Sequence, residues 1–172
     1  MDVQAPIRLD AAATPRPTKL ALIATLAVTA GALVLFLGAG RDQAGAVLVV
    51  LTSLFLTRVS GQLLVLAREP RWLPPMTDWN LLPYRLLLPL QAVVLAAMIA
   101  ACVRVLQGSA VPGVGRVCIA LSFVYWAALA VRYAVRMARR PDQRWFGGVV
   151  PMVFHCVLVA FLFVLGSYGA PN

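Results

Sequence analysis

An all-α polytopic bundle with five membrane-spanning helices is the fold class this sequence predicts, and three observations carry the prediction. Hydrophobic residues make up 62% of the 172-residue chain and charged residues only 12%, against about 25% charged in a typical soluble domain. That composition excludes a water-soluble enzyme. Five apolar runs of 19 to 23 residues punctuate the chain, and at roughly 1.5 Å rise per residue each matches a hydrocarbon core of about 30 Å. The basic residues, finally, gather at alternate ends of those runs, as they do in helical membrane proteins.

Residues 1–19 form an amino-terminal tail with Pro6, Pro15 and Pro17, small residues from Ala11 to Thr14 and mixed charge. Few apolar groups are available there to offset ordering, so the tail is expected to be disordered in the cytoplasm or to lie on the headgroups. The first run, Leu20 to Gly38, exceeds the 7 to 15 residues usual for a signal-peptide core and reads as a retained helix. The second run is Gly45 to Ala67, the third Leu86 to Leu106, the fourth Val117 to Met137 and the fifth Val149 to Tyr168. In lipid only a helix satisfies its own backbone groups, which makes every run a helix and residues 20–168 a single membrane domain. The connections of 6, 18, 10 and 11 residues and the end at 169–172 leave no room for a separate soluble domain.

Orientation follows from the arginines, since 14 of the 15 basic residues are Arg and only Lys19 is Lys. Eleven of them (Arg8, Arg16, Lys19, Arg68, Arg71, Arg85, Arg132, Arg136, Arg139, Arg140 and Arg144) fall on one side of the bundle. Arg41, Arg104 and Arg116 fall on the other, and Arg58 lies inside a span. The basic side is expected to be cytoplasmic, with the amino terminus inside and residues 169–172 outside, in the plasma membrane of a prokaryote. The net charge of +9 therefore serves orientation, and no nucleic acid is expected as a partner.

Small residues at four-residue spacing mark expected helix contacts: Ser53, Thr57 and Gly61, then Ala27 with Gly31, Ala96 with Ala100, and Ala130 with Ala134. Pro89 and Pro151 are expected in the first turns of their helices, where a missing N–H costs nothing. Cys102, Cys118 and Cys156 are far apart, without ligand spacing, and read as small buried apolar residues.

The candidate site comes from polar residues within the runs. Arg58 and Gln62 stand at i and i+4 on the second helix, Gln91 on the third, Arg132 and Arg136 at i and i+4 on the fourth, and His155 on the fifth, with Arg85 at the start of the third. All belong to the cytoplasmic half, whereas the acids Asp2, Asp10, Asp42, Glu69, Asp78 and Asp142 lie outside the spans. Proton and cation relays in membranes run through buried carboxylates, so a cation pump is disfavoured and an anionic ligand favoured. Arg58 is nine residues, roughly 13 Å, from Ala67, too far for easy snorkelling. The alternative is a second helix ending near Ser60, with Gly61 to Ala67 bent along the interface. Arg132 and Arg136 also read as orienting charges, with Tyr125 and Leu129 on their face, and His155 also reads as a histidine hydrogen-bonded between helices.

Two cytoplasmic connections are expected to lie at the interface. Residues 68–85 carry Trp72, Asp78 and Trp79 among four prolines, and residues 138–148 carry Arg139, Arg140, Arg144 and Trp145. Aromatic rings favour the headgroup level, and a basic loop attracts anionic headgroups by about 1 kcal/mol per residue. Asp78 and Asp142 read as salt-bridge partners of nearby arginines, and no metal or cofactor motif is present. The expectation is a non-catalytic protein binding an anionic amphiphile or lipid headgroup, moving or presenting it. The alternatives are an accessory or assembly subunit of a larger membrane complex, in which Arg58 pairs with a carboxylate of a membrane protein partner, and an intramembrane enzyme or haem protein using His155, with the second histidine of a haem supplied by a second copy of the chain in a homo-oligomer.

Overall fold

A computed structural model describes residues 16–68, 84–109, 113–139 and 149–169, and 96% of them are helical, with no strand among them. The helices are α1 (Arg16–Ala39), α2 (Ala44–Arg68), α3 (Tyr84–Leu106), α4 (Val114–Arg139) and α5 (Val149–Gly169). A 3-10 turn at Gly40–Gln43 joins α1 to α2, and Gly40 supplies its left-handed backbone with φ of +71°. At the end of α3 the Gly108 N–H donates to the Val105 carbonyl (2.9 Å) and the Ser109 N–H to the Arg104 carbonyl (2.9 Å). With Gly108 at φ +72°, this Schellman arrangement satisfies carbonyls that the helix end exposes.

Among the described residues four helical segments are long and apolar enough to cross a membrane: Leu20–Arg68, Leu87–Leu106, Val114–Val135 and Met152–Gly169. The first, 49 residues long, includes α1, the 3-10 turn and α2. The exposed side chains support a membrane setting. Val34 is 70% exposed, Val93 66%, Val124 66% and Trp126 58%, an apolar outer surface that lipid tolerates and water does not.

The core sits where α5 meets its neighbours. α5 packs on α1, α2 and α4, while α2 also packs on α1 and α3. Ala44, Leu48, Leu51, Val157 and Val164 are fully buried, flanked by Phe36, Phe55, Met98, Cys102 and Phe161. Phe163 receives Phe36 and Phe123 edge to face at 6.4 and 6.2 Å between ring centres, the favoured aromatic geometry. Hydroxyls satisfy themselves within their own helices: Thr25 donates to the Ala21 carbonyl, Thr52 to Leu48, Ser53 to Val49 and Thr57 to Ser53.

Three expectations need correction. Ser53, Thr57, Ala27, Gly31, Ala96, Ala100, Ala130 and Ala134 are exposed, and a Cβ placed on Gly31 or Gly61 meets nothing within 4 Å. Alanine-rich helices generate such spacings wherever they face, and here the hydroxyls of the stripe bond to their own backbone. Close approach occurs at Gly166 instead, where a Cβ would stand 2.7 Å from the Ile119 nitrogen and 2.8 Å from the Gly115 carbonyl oxygen. Second, α2 runs unbroken to Arg68, so it does not end near Ser60. Third, α3 begins at Tyr84, which puts Pro89 inside the helix. Lacking an N–H, Pro89 makes no i−4 bond to the Arg85 carbonyl.

Candidate functional site

The α2–α3 pairing fixes the first part of the candidate site. Thr52 Oγ1 lies 3.2 Å from Cys102 Sγ, and Gly45 faces Leu106 and Val105. The two helices thus run antiparallel, and following their register about three turns along α2 brings Gln62 level with Gln91. Gln62 is fully buried and Gln91 is 7% exposed. Among the described residues neither the nitrogen nor the oxygen of the Gln62 amide has a hydrogen-bond partner, and neither does Gln91 Oε1. A buried polar atom left without a partner costs about 1–3 kcal/mol, so these amides mark a place where the bundle alone does not satisfy its own polar groups.

Arg58 stands one turn before Gln62 on the same face of α2 and is 7% exposed. Because α2 packs on α5, its guanidinium reaches the Phe154 ring, 4.8 Å from the ring centre, where the π face favours a cation by roughly 2 kcal/mol once desolvated. The next residue of α5, His155, is hydrogen-bonded through Nδ1 to the Tyr125 hydroxyl of α4, and the two rings meet edge to face at 5.7 Å. Arg58 and Arg132 both lie within electrostatic reach of this Tyr125–His155 pair. Four helices therefore contribute: Arg58 and Gln62 from α2, Gln91 from α3, Tyr125 from α4, Phe154 and His155 from α5.

The remaining expected residues are distributed differently. Arg132 and Arg139 are exposed on α4. The side chains of Arg85 and Arg136 lie outside the described residues, as do Trp72, Asp78, Trp79, Arg140, Arg144 and Trp145. Tyr125 and Phe154 are additions to the expected set. Tyr125 sits seven residues before Arg132 on one helical stripe, and Phe154 adjoins the single histidine, but neither carries a charge that singles it out in the sequence.

Electrostatically the group is one-sided. Asp42 is the sole carboxylate among the described residues, and it belongs to the 3-10 turn at the other end of α2, roughly 24 Å along the axis from Arg58. Among the described residues no cluster of three His, Cys, Asp or Glu exists. Cys102 and Cys118 are buried, Cys156 is half-buried, and all are free thiols. A guanidinium and two carboxamides in a low-dielectric setting offer hydrogen-bond donors to a negative or strongly polar oxygen, beside a Tyr125 hydroxyl already engaged by His155. No known protein family, curated protein or solved structure matches the chain.

Proposed function

We propose that the protein binds an anionic amphiphile, a phospholipid or polyprenyl-phosphate headgroup, at the end of the bundle where α2 and α4 finish and α3 and α5 begin. The observation that carries this reading is the fully buried Gln62 amide, both atoms without a partner among the described residues, level with Gln91 and one turn from Arg58. Two N–H donors and a positive charge in a setting poor in carboxylates complement a phosphate oxygen, and charge-assisted hydrogen bonds are the strongest available in such a place. Arg132 at the lipid boundary adds a second positive charge for a headgroup approaching from the leaflet.

The proposal includes a topology. α1 and α2 each have the length of a span, so the 49-residue segment Leu20–Arg68 crosses twice, reversing at Gly40, and the bundle has five spans. The basic end faces the cytoplasm, with the amino terminus inside and residues 169–172 outside, in a prokaryotic plasma membrane. The headgroup then comes from the inner leaflet.

Native mass spectrometry of the full chain after gentle detergent extraction tests the reading. The wild type is expected to retain anionic lipid, with Gln62→Leu and Arg58→Ala retaining less. Equal retention by all three, or a stoichiometric protein partner in place of lipid, refutes it.

A further inference from the structure

A second feature lies at the other end of the bundle, where a cavity of about 310 Å³ opens between α3, the start of α4 and the end of α5. It exists because the helices pair unevenly: α2 packs on both α3 and α5, and α4 packs on α5, whereas α3 does not pack closely on α4 or α5, so a seam opens between α3 and the α4–α5 pair. Its walls are apolar, with Ala100, Ala101, Val114 and Leu165 among them, and its polar groups include Arg104 and Tyr168. Those two residues stand at helix ends, two residues before the end of α3 and one before the end of α5. The site is thus greasy within the span and polar at the level where headgroups lie.

We infer that this seam holds one acyl chain of an anionic phospholipid from the leaflet at that end, with its phosphate on the Arg104 guanidinium. Three observations select this occupant. The volume is at the small end of ligand pockets, roughly 300–1,000 Å³, fitting a single chain and not a helix with its side chains. Arg104 is exposed at the mouth and supplies the complementary charge. The alanines of α3 keep the wall low where the chain enters: Ala97 and Ala100 are exposed and Ala101 half-buried. The Schellman turn at Gly108 fixes the end of α3 and hence the height of Arg104 against the membrane. This site stands apart from the Arg58 group, since Arg104 and Gln91 are separated by about 20 Å along α3. It does not depend on the function proposed above.

The test is photocrosslinking of the full chain in phosphatidylcholine vesicles containing a minor fraction of phosphatidylglycerol, with the diazirine on an acyl chain of one lipid or the other. Peptide mapping is expected to place the phosphatidylglycerol label on residues 97–101 of α3 and on α5 near Leu165. Ala100→Phe, which fills the seam, should abolish that label. Arg104→Gln, at an exposed position, should keep the fold and lower the preference for phosphatidylglycerol over phosphatidylcholine about fivefold, the equivalent of about 1 kcal/mol per basic residue at a headgroup surface. Labelling spread evenly over all lipid-facing helices, an unchanged preference in Arg104→Gln, or crosslinks from the seam to a second copy of the chain would each overturn the inference.

Discussion

Substituting Gly166 by alanine should separate α4 from α5, and the size of the effect follows from the local geometry. A Cβ on Gly166 would lie 2.7 Å from both the nitrogen and Cγ1 of Ile119 and 2.8 Å from the Gly115 oxygen. Two of those three atoms are backbone, so rotating a side chain relieves only one contact. Reaching an ordinary separation of about 3.5 Å moves the helices apart by roughly 0.8 Å, and overpacking of this kind costs about 1–3 kcal/mol. Alanine also gains roughly 1 kcal/mol of helix propensity over glycine, which partly masks the cost. Gly61→Ala is the matched control, because Gly61 lies within α2 and a Cβ there meets nothing within 4 Å. The difference between the two variants removes the propensity gain and isolates the clash. Reversible unfolding of the purified chain in mixed micelles, followed by far-ultraviolet circular dichroism against increasing dodecyl sulfate, reads that difference. Gly166→Ala should be less stable than Gly61→Ala by about 1–3 kcal/mol. Equal stability of the two would refute the close approach of α4 and α5 at Gly166.

Three further outcomes are expected. Gln62→Leu should raise stability in lipid-free detergent by about 1–3 kcal/mol, by removing a buried amide without partners among the described residues, while lowering retention of anionic lipid; a loss on both counts would make Gln62 a structural residue. A double-mutant cycle on Tyr125→Phe and His155→Phe should give a coupling of about 0.6 kcal/mol, the usual worth of an interhelical hydrogen bond in a membrane, and additivity would dissolve the pair. Cysteines introduced at Ser109 and Arg139, with the three native thiols removed, should react with an impermeant maleimide on intact cells at Ser109 only; the opposite pattern would invert the topology.

Hydropathy made the helices legible because their length and apolarity leave few other solutions. The expected run Gly45 to Ala67 compares with α2 at Ala44–Arg68, and Val149 to Tyr168 with α5 at Val149–Gly169. Packing was not legible. Spacing alone pointed to Ser53, Thr57 and Gly61, whereas the tight contact falls on Gly166, and only the direction a face points tells a packing glycine from a lipid-facing one. Depth in the sequence brought attention to Arg58, Gln62, Gln91 and His155, but Phe154 and Tyr125 are ordinary aromatics until tertiary contact gives them partners. The interfacial connections, from Trp72 and Asp78 to Arg144 and Trp145, lie outside the described residues.

The central place of α5 has a consequence for biogenesis. Translation proceeds from the amino terminus, so α1 to α4 leave the ribosome before the helix on which α1, α2 and α4 all lean. Until that helix arrives, Arg58 has no Phe154 and Tyr125 no His155 to dock against. α5 itself contains no charged residue, so it enters lipid without a dragging charge and completes the assembly as a keystone does an arch. Lesions in it should therefore expose the whole protein to membrane proteolysis, whereas equal lesions in α1 should be borne more lightly.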